Sequence, residues 1–475
     1  MNMINVRRLT VMTFLGAGML PGISAQGSLL QADTLKVATL QTDTLQEMKI
    51  PTQWDLQSCI DYAKEQNITI RKNRITAAGT QIDVKTAKAA LFPSLSFSTG
   101  HQVVNRPYQE TSSRVSGSEI ISSNSKTSYN GNYGLNASWT LYNGNKRLKT
   151  IQQEKLNNQI AELDVATSEN NIQESIAQVY IQILYAAESV RVNENTLQVS
   201  IAQRDRGQEL LNAGSIAKSD LAQLEAQVST DRYQLVTAQA TLEDYKLQLK
   251  QLLELDGENE MNIFLPALSD ENVLAPLPAK REVYISALGL RPEIEASKLN
   301  VEASELGINI AKSSYFPTIS LSAGIGTNHT SGSDFTFGEQ VKNGWNNSIG
   351  LSVSVPIFNN RQTKSAVQKA KLQYETSMLS LLDEQKELYK TIETLWLDAN
   401  SAQQRYAAAN EKLKSTKISY ELTSEQFNLG MKNTVELLTE KNNLLQAQQE
   451  QLQAKYMAIL NTQLLKFYQG DQLAL

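Results

Sequence analysis

Ala87-Lys88-Ala89-Ala90-Leu91-Phe92-Pro93-Ser94-Leu95-Ser96 returns, 224 residues later, as Ala311-Lys312-Ser313-Ser314-Tyr315-Phe316-Pro317-Thr318-Ile319-Ser320. A second match, Gly134 to Asn143 against Gly350 to Asn359, has an offset of 216. The same offset carries Asn212-Ala213-Gly214 onto Asn428-Leu429-Gly430. A period this long marks half a protein duplicated, not a solenoid unit of about 20–50 residues. Each half runs helix, strand pair, long helix, turn, helix, and the eight-residue difference in offset falls in the loop inside the strand pair. Length alone would suggest about three globular domains; the duplication argues for one intertwined domain. The expected halves are 51–265 and 266–475, with a signal peptide at 1–25 and a flexible leader at 26–50 ahead of them.

The first half opens with helical periodicity over 54–91: Leu56, Ile60, Ala63, Ile68, Ile70 and Ile75. Pro93 ends it, because proline lacks an N–H and biases the residue before it toward extended geometry. The period then becomes two. In 93–103 and 132–142, Leu95, Phe97, Tyr133, Leu135 and Trp139 alternate with Ser96, Ser98, Asn136 and Ser138. The copy does the same in 317–326 and 348–358, where Ile319, Leu321, Ile349 and Leu351 alternate with Ser320, Ser322 and Ser352. Runs of about ten residues with one apolar and one small polar face match tilted membrane-spanning strands. Soluble sandwich strands also alternate, but no charged residue lies on either face of these runs. Phe92, Tyr142, Phe316 and Phe358 stand where the chain enters or leaves each pair, as an interfacial aromatic belt would. The intervening loops, 104–131 and 327–347, are rich in Ser, Gly, Asn and Thr and suit an extracellular side.

Four strands cannot close a barrel, and an open sheet leaves bare edges in lipid. The chain must therefore pool its strands with copies of itself; two copies give eight and three give twelve. After each strand pair comes a long stretch without Gly or Pro, Asn145 to Arg206 and Ile357 to Leu429. Ile172, Ile176, Val179, Ile183, Val190 and Leu197 fall at coiled-coil spacing, and the copy repeats them with Leu388, Ile392, Leu395, Ala399, Tyr406 and Leu413. From Asn145 to the turn at Asn212 is about 100 Å of helix, against about 60 Å for the return limb. The helix over 54–91 is expected to stack end to end on that limb.

Arg7-Arg8, an apolar run to Leu20 and a small residue at Ala25 have the anatomy of a secretory signal. Hydrophobic residues make up 41% of the chain, and a mean hydropathy of -0.34 is low for a polytopic helical membrane protein. Net charge is -5 and no basic tract stands out, which argues against nucleic acid. One cysteine, Cys59, excludes an intrachain disulfide, and the only two histidines, His101 and His329, lie on or beside strands. No Walker loop, dinucleotide fingerprint, zinc spacing or nucleophile elbow occurs. The expectation is a protein without catalytic chemistry, cofactor or metal.

The opening Leu56-Gln57-Ser58-Cys59-Ile60-Asp61-Tyr62-Ala63 with Asn67, the Phe-Pro-Ser-Leu-Ser type strand starts and the two glycine-centred turns resemble the TolC family of outer-membrane efflux ducts. The resemblance covers nearly the whole mature chain. It implies a mainly helical fold carrying a membrane β-barrel: a homotrimer with a twelve-stranded barrel and a twelve-helix periplasmic tunnel. It also implies work with a periplasmic adaptor and an inner-membrane pump, in an outer membrane. The turns, with Gly214, Ser215, Ile216, Gly430 and Met431, would then form the periplasmic tip and meet the adaptor. Asp220 and Glu436 match acidic positions of the family's constriction, and Lys432 a basic position that ties neighbouring helices. Phe427 stands where some members carry a tyrosine, and Thr439 where some carry a further carboxylate. On the residues alone, Asp220 and Glu436 are equally first-turn helix acids favoured by the dipole. A trimeric coiled-coil stalk or adhesin without a conducting lumen is the alternative reading.

Overall fold

The computed structural model describes residues 51–108, 112–116, 119–123, 126–256, 261–266, 273–333 and 335–473. The expected signal peptide and leader lie outside the described residues. The first half holds α1 (Leu56–Gln66), α2 (Ile68–Ala89), β1 (Ser94–Asn105), β2 (Ser112–Ser116), β3 (Glu119–Ser123), β4 (Thr127–Asn143), α3 (Lys146–Asn212) and α4 (Lys218–Leu252). The second holds α5 (Lys280–Leu290), α6 (Pro292–Ser313), β5 (Thr318–Thr330), α7 (Phe337–Asn343), β6 (Asn346–Ser354), α8 (Gln362–Asn428) and α9 (Thr434–Gln469). The two offsets survive in three dimensions: α1 and α2 map onto α5 and α6 by 224, and α3 onto α8 by 216.

The expected single helix over 54–91 is in fact two. Asn67 takes extended geometry (φ -60, ψ 126), and its side chain accepts from Thr69 N at 2.9 Å and Ile70 N at 3.3 Å. A side-chain cap of this kind restarts the helix at α2. Arg291 stands at the equivalent place (φ -75, ψ 124), where Pro292 biases it to extended geometry and opens α6 at a position suited to proline. The stacking of α2 on the return limb α4 holds: Asn67 Nδ2 donates to Leu252 O at 3.0 Å and Ile68 N to Glu254 Oε1 at 3.2 Å.

Both long helices begin from left-handed residues, Asn145 (φ 62) and Arg361 (φ 66). Gly144 (φ +67) precedes the first, and a Cβ there would come within 2.6 Å of Ser313 O. Only glycine fits both its conformation and its space.

The sheet is antiparallel in the order β1-β4-β5-β6, with a separate two-stranded β2-β3 sheet. Leu95 pairs with Ala137, Phe97 with Leu135 and Leu135 with Ile325, so the apolar residues share one face. On the other face, Ser94 and Ser138 hydroxyls meet at 2.8 Å and Ser96 Oγ donates to Asn136 O at 3.4 Å. Two expectations change. The loops are shorter than read, because β1 and β4 run on to Asn105 and back from Thr127, and α7 lies inside the second. The last strand stops at Ser354 instead of 358, since Pro356 can donate no ladder bond. Phe358 thus lies past the strand and is 84% exposed.

The main core sits where the return limbs end. Cys59, Ile60, Tyr180, Ile183, Leu249, Leu253, Tyr406 and Ala458 gather there from both halves. Burial pushes the Cys59 thiol up to about 12, so it is a packing residue.

Candidate functional site

Each long helix ends in the same glycine turn. Gly214 (φ +77) donates to Leu211 O at 2.9 Å and Ser215 N to Leu210 O at 2.8 Å. Gly430 (φ +75) donates to Phe427 O at 2.9 Å and Met431 N to Gln426 O at 2.8 Å. This pair of bonds is the Schellman motif, which needs a left-handed residue at the position each glycine holds. A Cβ at either glycine would meet nothing, so conformation alone requires them.

The return helices start with their acids turned back on the turn. Asp220 Oδ2 accepts from Ala217 N at 3.0 Å. In the copy the box is complete: Asn433 Oδ1 accepts from Glu436 N at 2.9 Å, and Glu436 Oε2 from Asn433 N at 3.2 Å. Lys432 Nζ donates to Glu436 Oε1 at 2.6 Å. That hydrogen bond first, and the Asn433 N–H second, hold the Glu436 carboxyl below the usual carboxylate range. Within one chain, then, both acids cap their own helices.

The two turns nonetheless meet. A cleft of about 380 Å³ is lined from one side by Ser215, Ile216 and Asp220 and from the other by Phe427, Gly430, Met431, Lys432 and Glu436. Thr439 does not join it; its hydroxyl donates to Val435 O at 2.8 Å. Phe427 is 3% exposed and serves as hairpin core. One heptad back, Tyr420 links α8 to α3, its hydroxyl accepting from Gln203 Nε2 at 2.8 Å.

About 10–20 Å along the helices from the turns, Lys441 of α9 donates to Asp231 of α4 and to Ser200 of α3. Lys441 is 3% and Asp231 1% exposed. Desolvation lowers the Lys441 pKa, against the opposing pull of Asp231. This knot ties the two halves together behind the tip, and the sequence reading missed it. Its signal was present: Leu221, Leu224, Val228 and Asp231, like Thr434, Leu437 and Lys441, follow core spacing. A charge at a core position that keeps its helix is a paired charge.

Among the described residues no three His, Cys, Asp or Glu gather as a metal site, and no helix is long and apolar enough to cross a membrane. The aromatic residues of the expected belt, Phe92, Tyr142 and Phe316, are exposed on this chain, as is Phe358.

A family model described as outer membrane efflux protein matches residues 59–254 and 283–470, one segment in each half. The chain belongs to that family. Toxin and drug export protein A of Aggregatibacter actinomycetemcomitans is 22% identical over 471 residues, covering 96% of each chain. Outer membrane protein TolC of Escherichia coli K12 is 21% identical over 419 residues, 86% of this chain and 80% of that one. Outer membrane efflux protein BepC of Brucella suis is 24% identical over 294 residues, which span 62% of this chain and 61% of BepC. Among solved structures, CusC superposes with a TM-score of 0.74 at 19% identity, covering 88% of this chain and 92% of CusC. VceC of Vibrio cholerae gives 0.71 at 16% identity, covering 88% and 97%. The mainly helical fold of the outer membrane efflux family is therefore shared, and the protein is an outer-membrane component.

Proposed function

We propose that the chain is one protomer of a passive exit duct, through which an efflux or type I secretion assembly discharges across the outer membrane. The carrying observation is the sheet: an uncharged apolar face for lipid, a Ser/Gly/Asn face for a wet lumen, and outer edges on β1 and β6 that no other described strand pairs. Three copies joined edge to edge would give twelve strands. The helices supply a matching seam. Ile68, Ile75 and Ile82 form an exposed stripe on α2, and Leu372 and Leu379 one on α8, both at seven-residue spacing. In a homotrimer these stripes cover one another, Phe92, Tyr142, Phe316 and Phe358 sit at the lipid interface, and the paired turns converge on the axis. There they would gate the duct and meet a periplasmic adaptor, which couples it to an inner-membrane pump. A stalk without a lumen has no use for the small polar face.

Acids repeated around a narrow axis attract cations and disfavour anions. Asp220→Asn with Glu436→Gln keeps the capping acceptors and removes the charge. In single-channel recordings this variant is expected to lose block by multivalent cations and to change conductance. Unaltered block and conductance would remove the charge ring and leave the duct standing.

A further inference from the structure

The only two histidines of the chain converge on one glycine. His101 of β1 pairs with Gly131 of β4, and Gly131 with His329 of β5, so both imidazoles rise from the same face of three adjacent strands. Their centres close a ring with two tyrosines: His101 to Tyr129 5.9 Å, Tyr129 to His329 5.2 Å, His329 to Tyr133 6.0 Å and Tyr133 to His101 5.4 Å. Gly131 is the floor. A Cβ there would stand 2.6 Å from His329 Nδ1 and 3.2 Å from His101 Nδ1, so the two nitrogens face one small space.

The hydrogen bonds hold one ring and leave the other nitrogen open. His101 Nε2 lies 3.0 Å from Thr99 Oγ1, and His101 Nδ1 lies 2.7 Å from the Tyr129 hydroxyl. Both partners are hydroxyls, so either neutral tautomer satisfies both contacts; in the one with Nε2–H donating to Thr99, Nδ1 accepts from Tyr129 and is the nitrogen open to a ligand. In that tautomer Thr99 orients the ring through its far N–H, as partners of metal-ligating histidines do, and a ligand would take the place of the Tyr129 hydroxyl at Nδ1. His329 Nδ1 is buried and has no hydrogen-bond partner among the described residues. A buried acceptor without a partner carries a desolvation cost that a ligand would relieve. Phe337 closes over His329 at 4.9 Å between ring centres and holds the ring in place.

The geometry points to a metal site: His101 Nδ1 and His329 Nδ1 together bind one divalent transition cation, Zn2+ or Cu2+, above Gly131. Both nitrogens border the space above Gly131, and metal–nitrogen bonds of about 2.0–2.1 Å are reached by turning the rings about their broad χ2 torsions. Imidazole donors suit both ions, and Cu2+ binds more tightly by the Irving–Williams order. The Tyr129 hydroxyl, freed from Nδ1, becomes the adjacent oxygen, and water completes the sphere. The ion bridges β1 and β5 across β4. These residues share the face of Phe97, Leu135 and Ile325, but they stand at the loop end of the strands, where α7 covers β5 through Phe337 and Val341, so in the duct reading the site lies beyond the lipid-facing band.

The test uses untagged full-length protein in detergent, titrated with Cu2+ and with Zn2+ by calorimetry, with electron paramagnetic resonance of the Cu2+ form. One ion per chain with nitrogen hyperfine structure from two imidazoles is expected. His101→Phe and His329→Phe keep the ring contacts, and each is expected to lose about tenfold or more in affinity. Metal should raise the melting temperature of the wild type and not of the double variant. If the double variant binds as the wild type does, or the wild-type Cu2+ spectrum shows fewer than two nitrogen ligands, the site is overturned. The spectrum decides even where a variant does not fold.

Discussion

Lys441→Met is expected to destabilise the region behind the tip by about 3–5 kcal/mol, the cost of stripping one partner from a buried ion pair. Asp231 would be left 1% exposed with its counter-charge gone, keeping among the described residues Ser200 Oγ and Gln227 Nε2, the latter at 2.8 Å. Ser200, Asp231 and Lys441 come from α3, α4 and α9, so the loss loosens the two halves from each other and not one hairpin alone. Amide exchange across 434–445 should accelerate by roughly a hundredfold or more if opening there is local. Adding Asp231→Leu and Ser200→Ala to Lys441→Met should recover stability, because well-packed apolar replacements of a buried pair are often neutral or better. Wild-type exchange rates in the single variant would show that the pair contributes nothing.

Arg291→Met is the second large effect, at about 3 kcal/mol, the lower end of the same range because its two carboxylates keep some water. Arg291 is 6% exposed, donates to Glu293 Oε1 at 2.7 Å and Glu174 Oε1 at 3.1 Å, and lies 4.2 Å from the centre of the Tyr468 ring. Burial already raises the Glu174 pKa and Arg291 opposes it, so removing the guanidinium leaves a half-desolvated acid beside Glu293. The break between α5 and α6 is held by this cluster, as Asn67 holds the break between α1 and α2 with its amide. A lowered melting temperature and faster exchange over 288–296 are expected. An unchanged melting temperature would mean that Pro292 alone fixes the break.

The duplicated Phe-Pro and glycine-turn segments made the element order legible, because they punctuate the chain at backbone positions that few residues tolerate. Boundaries were lost where the apolar pattern runs on regardless of the backbone. Ile68 and Ile75 continue the period of Leu56 and Ile60, yet they are 54% and 61% exposed, and the capping by Asn67 that separates them is a local geometry no periodicity reports. At the tip, Asp220 and Glu436 were legible as acids of the first turn, and within one chain they are capping residues; a role on a shared axis depends on neighbouring copies. Lys441 and Asp231 were readable as charges at core spacing, but their partnership spans 210 residues. The histidine pair needed the register of three strands, which alternation does not set.

The most direct measurement is planar-bilayer conductance of the purified, detergent-extracted protein, with oligomer mass taken on the same sample. A trimer that inserts and gives discrete conductance steps, altered by Asp220→Asn with Glu436→Gln, is the expected result. A trimer that inserts and never conducts, even with Asp220, Lys432 and Glu436 neutralised, would contradict the duct and favour a stalk.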